Sequence, residues 1–144
     1  PAQTDAVYDE LLRPADDALV AGYSVVLDAS WRTSLYREAA HRVASNRQAV
    51  AIDVMCQVDE RTAYARVRGH RDGFSQAGVA TRRAMKDAYD PWPAAHTLTT
   101  ERPVEETAQD LVAVIDAALR AYSLTAGPAK DSLAVSASLR ADER

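Results

Sequence analysis

Apolar and polar positions along the chain alternate between two periods, and the alternation predicts helices interleaved with short buried strands. From Asp5 to Ala21, Val7, Leu11, Leu12, Ala15, Ala18 and Leu19 recur at three- and four-residue spacing, which predicts a helix stopped by Gly22. Pro14 lies inside that pattern, where a missing N–H is expected to kink or split the helix. Ser24 to Asp28 (SVVLD) and Ala49 to Cys56 (AVAIDVMC) are continuous apolar runs rich in β-branched residues, the pattern of strands buried on both faces. Between them, Thr33 is placed to cap a helix running to about Ser45, with Arg37, Glu38, Arg42 and Arg47 on its charged side.

Asp59 is likewise placed to cap a third helix, DERTAYARVRGHR, with Ala63 and Val67 inward and the arginines outward. Asp72-Gly73 and Gly78 bracket a loop, and a fourth helix is expected from about Val79 to Ala88, ended by Asp90-Pro91-Trp92-Pro93. His96 to Thr100 reads as a third short strand. Pro103, followed by Glu105 and Glu106, opens a helix to about Tyr122 with Val104, Ala108, Leu111, Val112, Ile115 and Leu119 as its apolar positions. From Ser123 onward Ser, Ala, Gly and charge dominate. The organisation expected is therefore one α/β domain over 1–122 and a poorly ordered tail over 123–144. Helices alternating with buried strands imply a parallel sheet with helices on both faces. Three strands make a narrow sheet, and a piece at the N-terminal side is where a missing strand is expected.

Composition narrows the function classes. A chain of 144 residues with one cysteine is long enough to bury a core without disulfides. His41, His70 and His96 lack metal-ligand spacing, and the longest apolar runs are far too short to span a membrane, so the expected setting is cytoplasmic. The net charge of −4 conceals a split: Arg61 to Lys86 carries +6 and the remainder −10. That segment attracts anions locally, while the acidic remainder and the lack of interleaved basic and aromatic residues argue against nucleic acid as partner. The chain also opens on Pro1 rather than Met, as a processed or truncated piece does.

Two features carry candidate chemistry. Asp28 ends an apolar strand, which puts a carboxylate at the carboxyl edge of a parallel sheet, where open α/β folds bind ligands. Its alternative role is to cap the following turn. Arg66, Arg68 and Arg71 form the second feature: guanidinium forks grip phosphate oxygens, and the glycines beyond them suit a mobile segment closing over a nucleotide. A solvated helix face is the plainer reading of the same arginines. Ser30, Ser75 and the histidines form no nucleophile–base spacing. Trp92 between two prolines reads as a packing plug, Cys56 as a small buried hydrophobe, and Asp16-Asp17 as a solvated helix face.

In their order along residues 5–120, three stretches resemble the second half of the P-loop kinase-like ATPases called the AAA_33 family, relatives of zeta toxins, gluconate-type kinases and polynucleotide kinase. They are VYDELL at 7–12 with AGYSVVLDASW at 21–31 and Arg37; ARVRGHRDGFSQA at 65–77; and YDPW at 89–92. The form fused behind aminoglycoside-phosphotransferase-like domains is the most similar. The resemblance implies a P-loop NTPase-like three-layer α/β/α sandwich, ATP and Mg²⁺ as cofactors, and a small-molecule phosphoryl acceptor as partner. It implies that Asp28 is the Walker-B-like acid, holding Mg²⁺ through water, and that Arg66, with Arg71 or its neighbour, is a lid arginine contacting phosphates. The family's second lid arginine falls at His70 here, so its assignment to Arg71 takes a one-residue slip. No GxxxxGK[ST] occurs in the chain. The first strand, P-loop and first helix would then be missing, and the chain alone would be inactive. The alternative is a degenerate, non-catalytic kinase-like module that pairs with another chain.

Overall fold

A computed structural model describes residues 2–69, 89–126 and 133–142, with side chains over 4–66 and 89–124. The elements are α1 (Ala2–Val20), β1 (Val25–Asp28), α2 (Ser34–Asn46), β2 (Val50–Asp59), α3 (Glu60–Gly69), β3 (His96–Thr99), α4 (Val104–Ala126) and β4 (Leu133–Asp142). The chain is thus mixed α/β, and the described strands form one sheet in the order β1-β4-β2-β3 with every neighbouring pair parallel.

Alternation along β2 divides the core. Val50, Ile52 and Val54 join Leu98 of β3 under Leu111, Ile115 and Leu119 of α4. On the other face, Ala51 belongs with Leu19, Ala44 and Ala49, while Leu27 of β1 packs with Tyr8, Leu12, Ala15 and Trp31. One face of the sheet therefore carries α1 and α2, and the opposite face carries α4, because each strand sends successive side chains to opposite sides. The helix α4 packs on β2 and β3. Val26, on the α4 side of β1, is 71% exposed.

Four sequence expectations need correction. The boundary after residue 122 falls inside α4, which continues to Ala126, and the supposed tail contains a strand at the centre of the sheet. The reason lies in the residues: Leu133, Val135, Ala137, Leu139 and Ala141 alternate with mostly small or polar ones, a period-two pattern that the Ser/Ala composition hides. β4 pairs with β2 from Val50↔Leu133 to Asp59↔Asp142 and with β1 from Val25↔Ala134 to Asp28↔Ala137. Hence the expected three strands are four among the described residues. β2 also runs past Cys56 to Asp59, carried by its ladder with β4.

Third, α1 continues through Pro14 as one helix, its inner side held by Tyr8, Leu12, Ala15 and Leu19. Gly22 ends it as expected, at φ 84°: Tyr23 N–H donates to Ala18 O and Gly22 N–H to Leu19 O, the paired bonds that only a left-handed residue permits. Gln48 makes the same turn after α2 at φ 55°, with Ala49 N–H bonded to Ala44 O. Fourth, Thr33 occupies the N-cap position of α2 without a side-chain cap bond. Its place is taken by Asp90, whose Oδ2 accepts the Ser34 N–H at 2.7 Å. The helix expected over 79–88 and the loop over 72–78 lie outside the described residues.

Candidate functional site

Two of the predicted residues, Asp28 and Arg66, lie toward the carboxyl edge of the sheet. β1 ends there on Asp28, which is exposed and level with Ala137 of β4 and, one strand further, with Val54 of β2. Among the described residues no hydrogen bond or ion pair engages the Asp28 carboxylate, so the turn-capping alternative finds no support. Its negative charge reaches Cys56: burial pushes the Cys56 thiol up, and Asp28 adds to the shift. Cys56 itself is half-buried against the Ile52–Val54–Leu98 cluster, as its sequence position suggested.

β2 then overshoots β1, and at its end Asp59 starts α3 by accepting the Thr62 N–H on Oδ1 at 2.9 Å. Those hydrogen bonds hold the Asp59 carboxyl below the usual range. Arg66, one turn and a half into α3, donates to the carbonyl oxygen of Thr100 and, at 3.4 Å, to its Oγ1. Thr100 is in turn fixed to the strand end, its N–H and Oγ1–H both donating to Gln57 O at 2.7 and 3.0 Å. So Arg66 is anchored toward the same edge as Asp28, but through Thr100 at the end of β3, which β4 and β2 separate from β1. The side chain of Arg68 and the whole of Arg71 lie outside the described residues. No group of three His, Cys, Asp or Glu among the described residues could hold a metal ion.

Several residues of the stretches quoted above, Tyr8, Trp31, Arg37, Asp90 and Trp92, meet elsewhere, in a clamp behind the end of β1. Trp31, with no exposed surface, donates its backbone N–H to Tyr8 Oη at 3.0 Å and its indole N–H to Leu27 O at 3.3 Å. Tyr8 stacks on Tyr36, whose hydroxyl donates to Asp5 Oδ1 at 2.6 Å; that bond pushes the Tyr36 phenol up to about 12. Arg37, 6% exposed, donates to Trp31 O at 2.8 Å and Pro91 O at 3.0 Å, reaches Asp90 O at 3.4 Å, and lies 5.0 Å over the Trp92 ring. The Ser34 N–H holds the Asp90 carboxyl below its usual range. Arg37, whose role the sequence left unassigned, thus joins the start of α2 to the Asp90–Trp92 turn. Trp92 packs against the Tyr8–Trp31 cluster as a plug should, and its Nε1–H also donates to Asp53 Oδ2 at 3.0 Å.

Asp53 was missed as a site residue. Its signal was present: a carboxylate in the middle of an otherwise apolar strand must find partners once buried. It is 7% exposed and bonds His41 Nε2 at 2.9 Å through both oxygens. Asp16 lies on the surface, as expected of a solvated helix face, and meets Arg47 there at 2.6 and 2.8 Å.

The chain is 28% identical over 106 residues to the uncharacterized protein Rv2004c of Mycobacterium tuberculosis and to the uncharacterized protein Mb2027c of Mycobacterium bovis. The match covers 74% of this chain and 21% of each relative, so the chain spans about a fifth of their length. No protein-family model matches the chain, and no solved structure does. No helix among the described residues is long and apolar enough to cross a membrane.

Proposed function

We propose that these residues form the Asp28- and Arg66-bearing part of an ATP-dependent small-molecule kinase of the P-loop NTPase type, working in the cytoplasm. The observation that carries this reading is that a solvent-facing Asp28 ends a parallel strand while Arg66 is anchored toward the same sheet edge. In such an enzyme Asp28 would hold Mg²⁺ through water, and Arg66, with Arg68 and Arg71, would neutralise charge on the transferred phosphoryl group. ATP and Mg²⁺ are the cofactors proposed, and a nucleotide and a small phosphoryl acceptor the partners. The backbone cradle for the phosphates is supplied by a GxxxxGK[ST] that this chain does not contain. The much greater length of the mycobacterial relatives is consistent with such a segment being carried elsewhere in a longer protein.

The test uses that longer protein. Arg66→Ala should lower kcat by about 10²-fold or more while leaving KM for ATP within a few-fold, because charge that develops in the transition state is what the guanidinium meets. An unchanged kcat removes Arg66 from the site.

A second reading, a non-catalytic module that pairs with another chain, is favoured by one observation. Val26 on the α4 side of β1 is 71% exposed, and Tyr23 just before the strand 67%. Exposed apolar side chains beside a sheet strand are what a partner would cover.

A further inference from the structure

We propose that the place β4 holds between β1 and β2 belongs, in a longer protein, to the strand that runs into the phosphate loop, and that β4 yields the place to it. This rests on the phosphoryl-transfer reading and adds the position of the loop. A loop that cradles the phosphates must lie within reach of a Mg²⁺ held by Asp28, and adjacent strands stand about 4.8 Å apart, so its strand has to be a neighbour of β1. β1 has two sides. On the outer side the loop would be four strand spacings, about 19 Å, from β3, where Thr100 anchors Arg66. In the place of β4 it is one spacing from β1 and two, about 10 Å, from β3. Of the two positions, the second alone lies between Asp28 and Arg66.

The residues of β4 suit a stand-in. A strand in the middle of a parallel sheet with helices on both faces is buried on both sides and reads as a continuous run of Val, Ile and Leu. VVL in β1 does so, as do VAI and VMC in β2, where the Asp53 between them is hydrogen-bonded. β4 reads LAVSASLRAD, with Ser136 level with Leu27 and Asp53, and Ser138 level with Met55. Serine at those positions gives up the apolar burial that a β-branched residue would gain. β4 also comes last in the chain, after α4, whereas β1, α2 and β2 follow one another directly across the place it fills. Its hold is a pair of main-chain ladders, Val25↔Ala134 to Asp28↔Ala137 and Val50↔Leu133 to Asp59↔Asp142, which any parallel strand can supply. A strand rich in Val and Ile supplies the same ladders and buries more apolar surface, so it displaces β4. The mycobacterial relatives, of which the chain spans about a fifth, have ample length to carry such a strand.

The test compares the 144-residue chain with the longer protein that carries GxxxxGK[ST], each with and without residues 127–144. In the 144-residue chain the amides of 133–142 should be protected from hydrogen exchange, and the deletion should abolish the cooperative urea transition. In the longer protein the same amides should exchange at the rates of an unstructured segment, and the deletion should leave the urea midpoint unchanged. Protection of 133–142 in both proteins, or a deletion that destabilises both alike, would overturn the exchange, and so would a 144-residue chain indifferent to the deletion. A Mg·ATP titration of the longer protein separates the two readings. Binding with 133–142 still protected sinks the exchange alone, while 133–142 released without binding sinks the phosphoryl-transfer reading and leaves the exchange standing.

Discussion

Trp31→Ala should destabilise the domain by about 3–5 kcal/mol. Trp31 is fully buried and holds a φ of 47°, a conformation that costs a non-glycine residue of order 1–3 kcal/mol and persists only where surrounding contacts over-determine it. Those contacts are the Tyr8 hydroxyl on its N–H, the Leu27 carbonyl on its indole, and the Tyr8 ring at 5.2 Å. Alanine keeps the unfavourable backbone angle and loses the indole, leaving a void beside Leu12, Ala15 and Leu27. Urea denaturation at neutral pH measures the difference directly. A loss under about 1 kcal/mol would mean that the β1–α2 turn is not held by this side chain.

Arg37→Ala should cost about 3 kcal/mol by the same measurement. The guanidinium is nearly buried, and among the described residues its hydrogen bonds go to main-chain carbonyls of Trp31, Asp90 and Pro91. Bonds to a charged donor contribute about 1.5–3 kcal/mol, and the carbonyls left behind would be buried without a donor. Arg37→Lys should recover only part of the loss, because an ammonium cannot present the planar fork that spans Trp31 O and Pro91 O together. Equal stability of Arg37→Ala and the parent would show that the Asp90–Trp92 turn is tied to α2 mainly by Asp90 and Ser34.

These two residues also show what the sequence made legible. The described helices and the first three strands follow from the pattern, because a 3.6-residue apolar repeat, or a short apolar run rich in β-branched residues, has one way to bury itself. Asp28 was findable for the same reason: a carboxylate closing an apolar strand has a fixed place at the sheet edge. Trp31 and Arg37 lay in the quoted motifs, yet nothing local shows that they bind one another and a turn some fifty residues later. β4 was hidden differently. Its alternation is built on Ala and Ser, which carry little hydrophobic signal, and its ladder partners on both sides come from distant segments of the chain. The resemblance stretches turned out to mix two roles, with Asp28 and Arg66 at the edge and Tyr8, Trp31, Arg37 and Trp92 bracing the turns behind it.

The proposed function makes the carboxyl edge that carries Asp28 and Arg66 a phosphate-and-magnesium site, incomplete without a phosphate loop. Chemical-shift mapping of the labelled chain with Mg·ATP tests this most directly. The expected result is weak, millimolar binding whose perturbations cluster at Asp28, Arg66 and Thr100 and vanish in Asp28→Asn. Shifts scattered away from that edge, or none up to millimolar Mg·ATP, would contradict it.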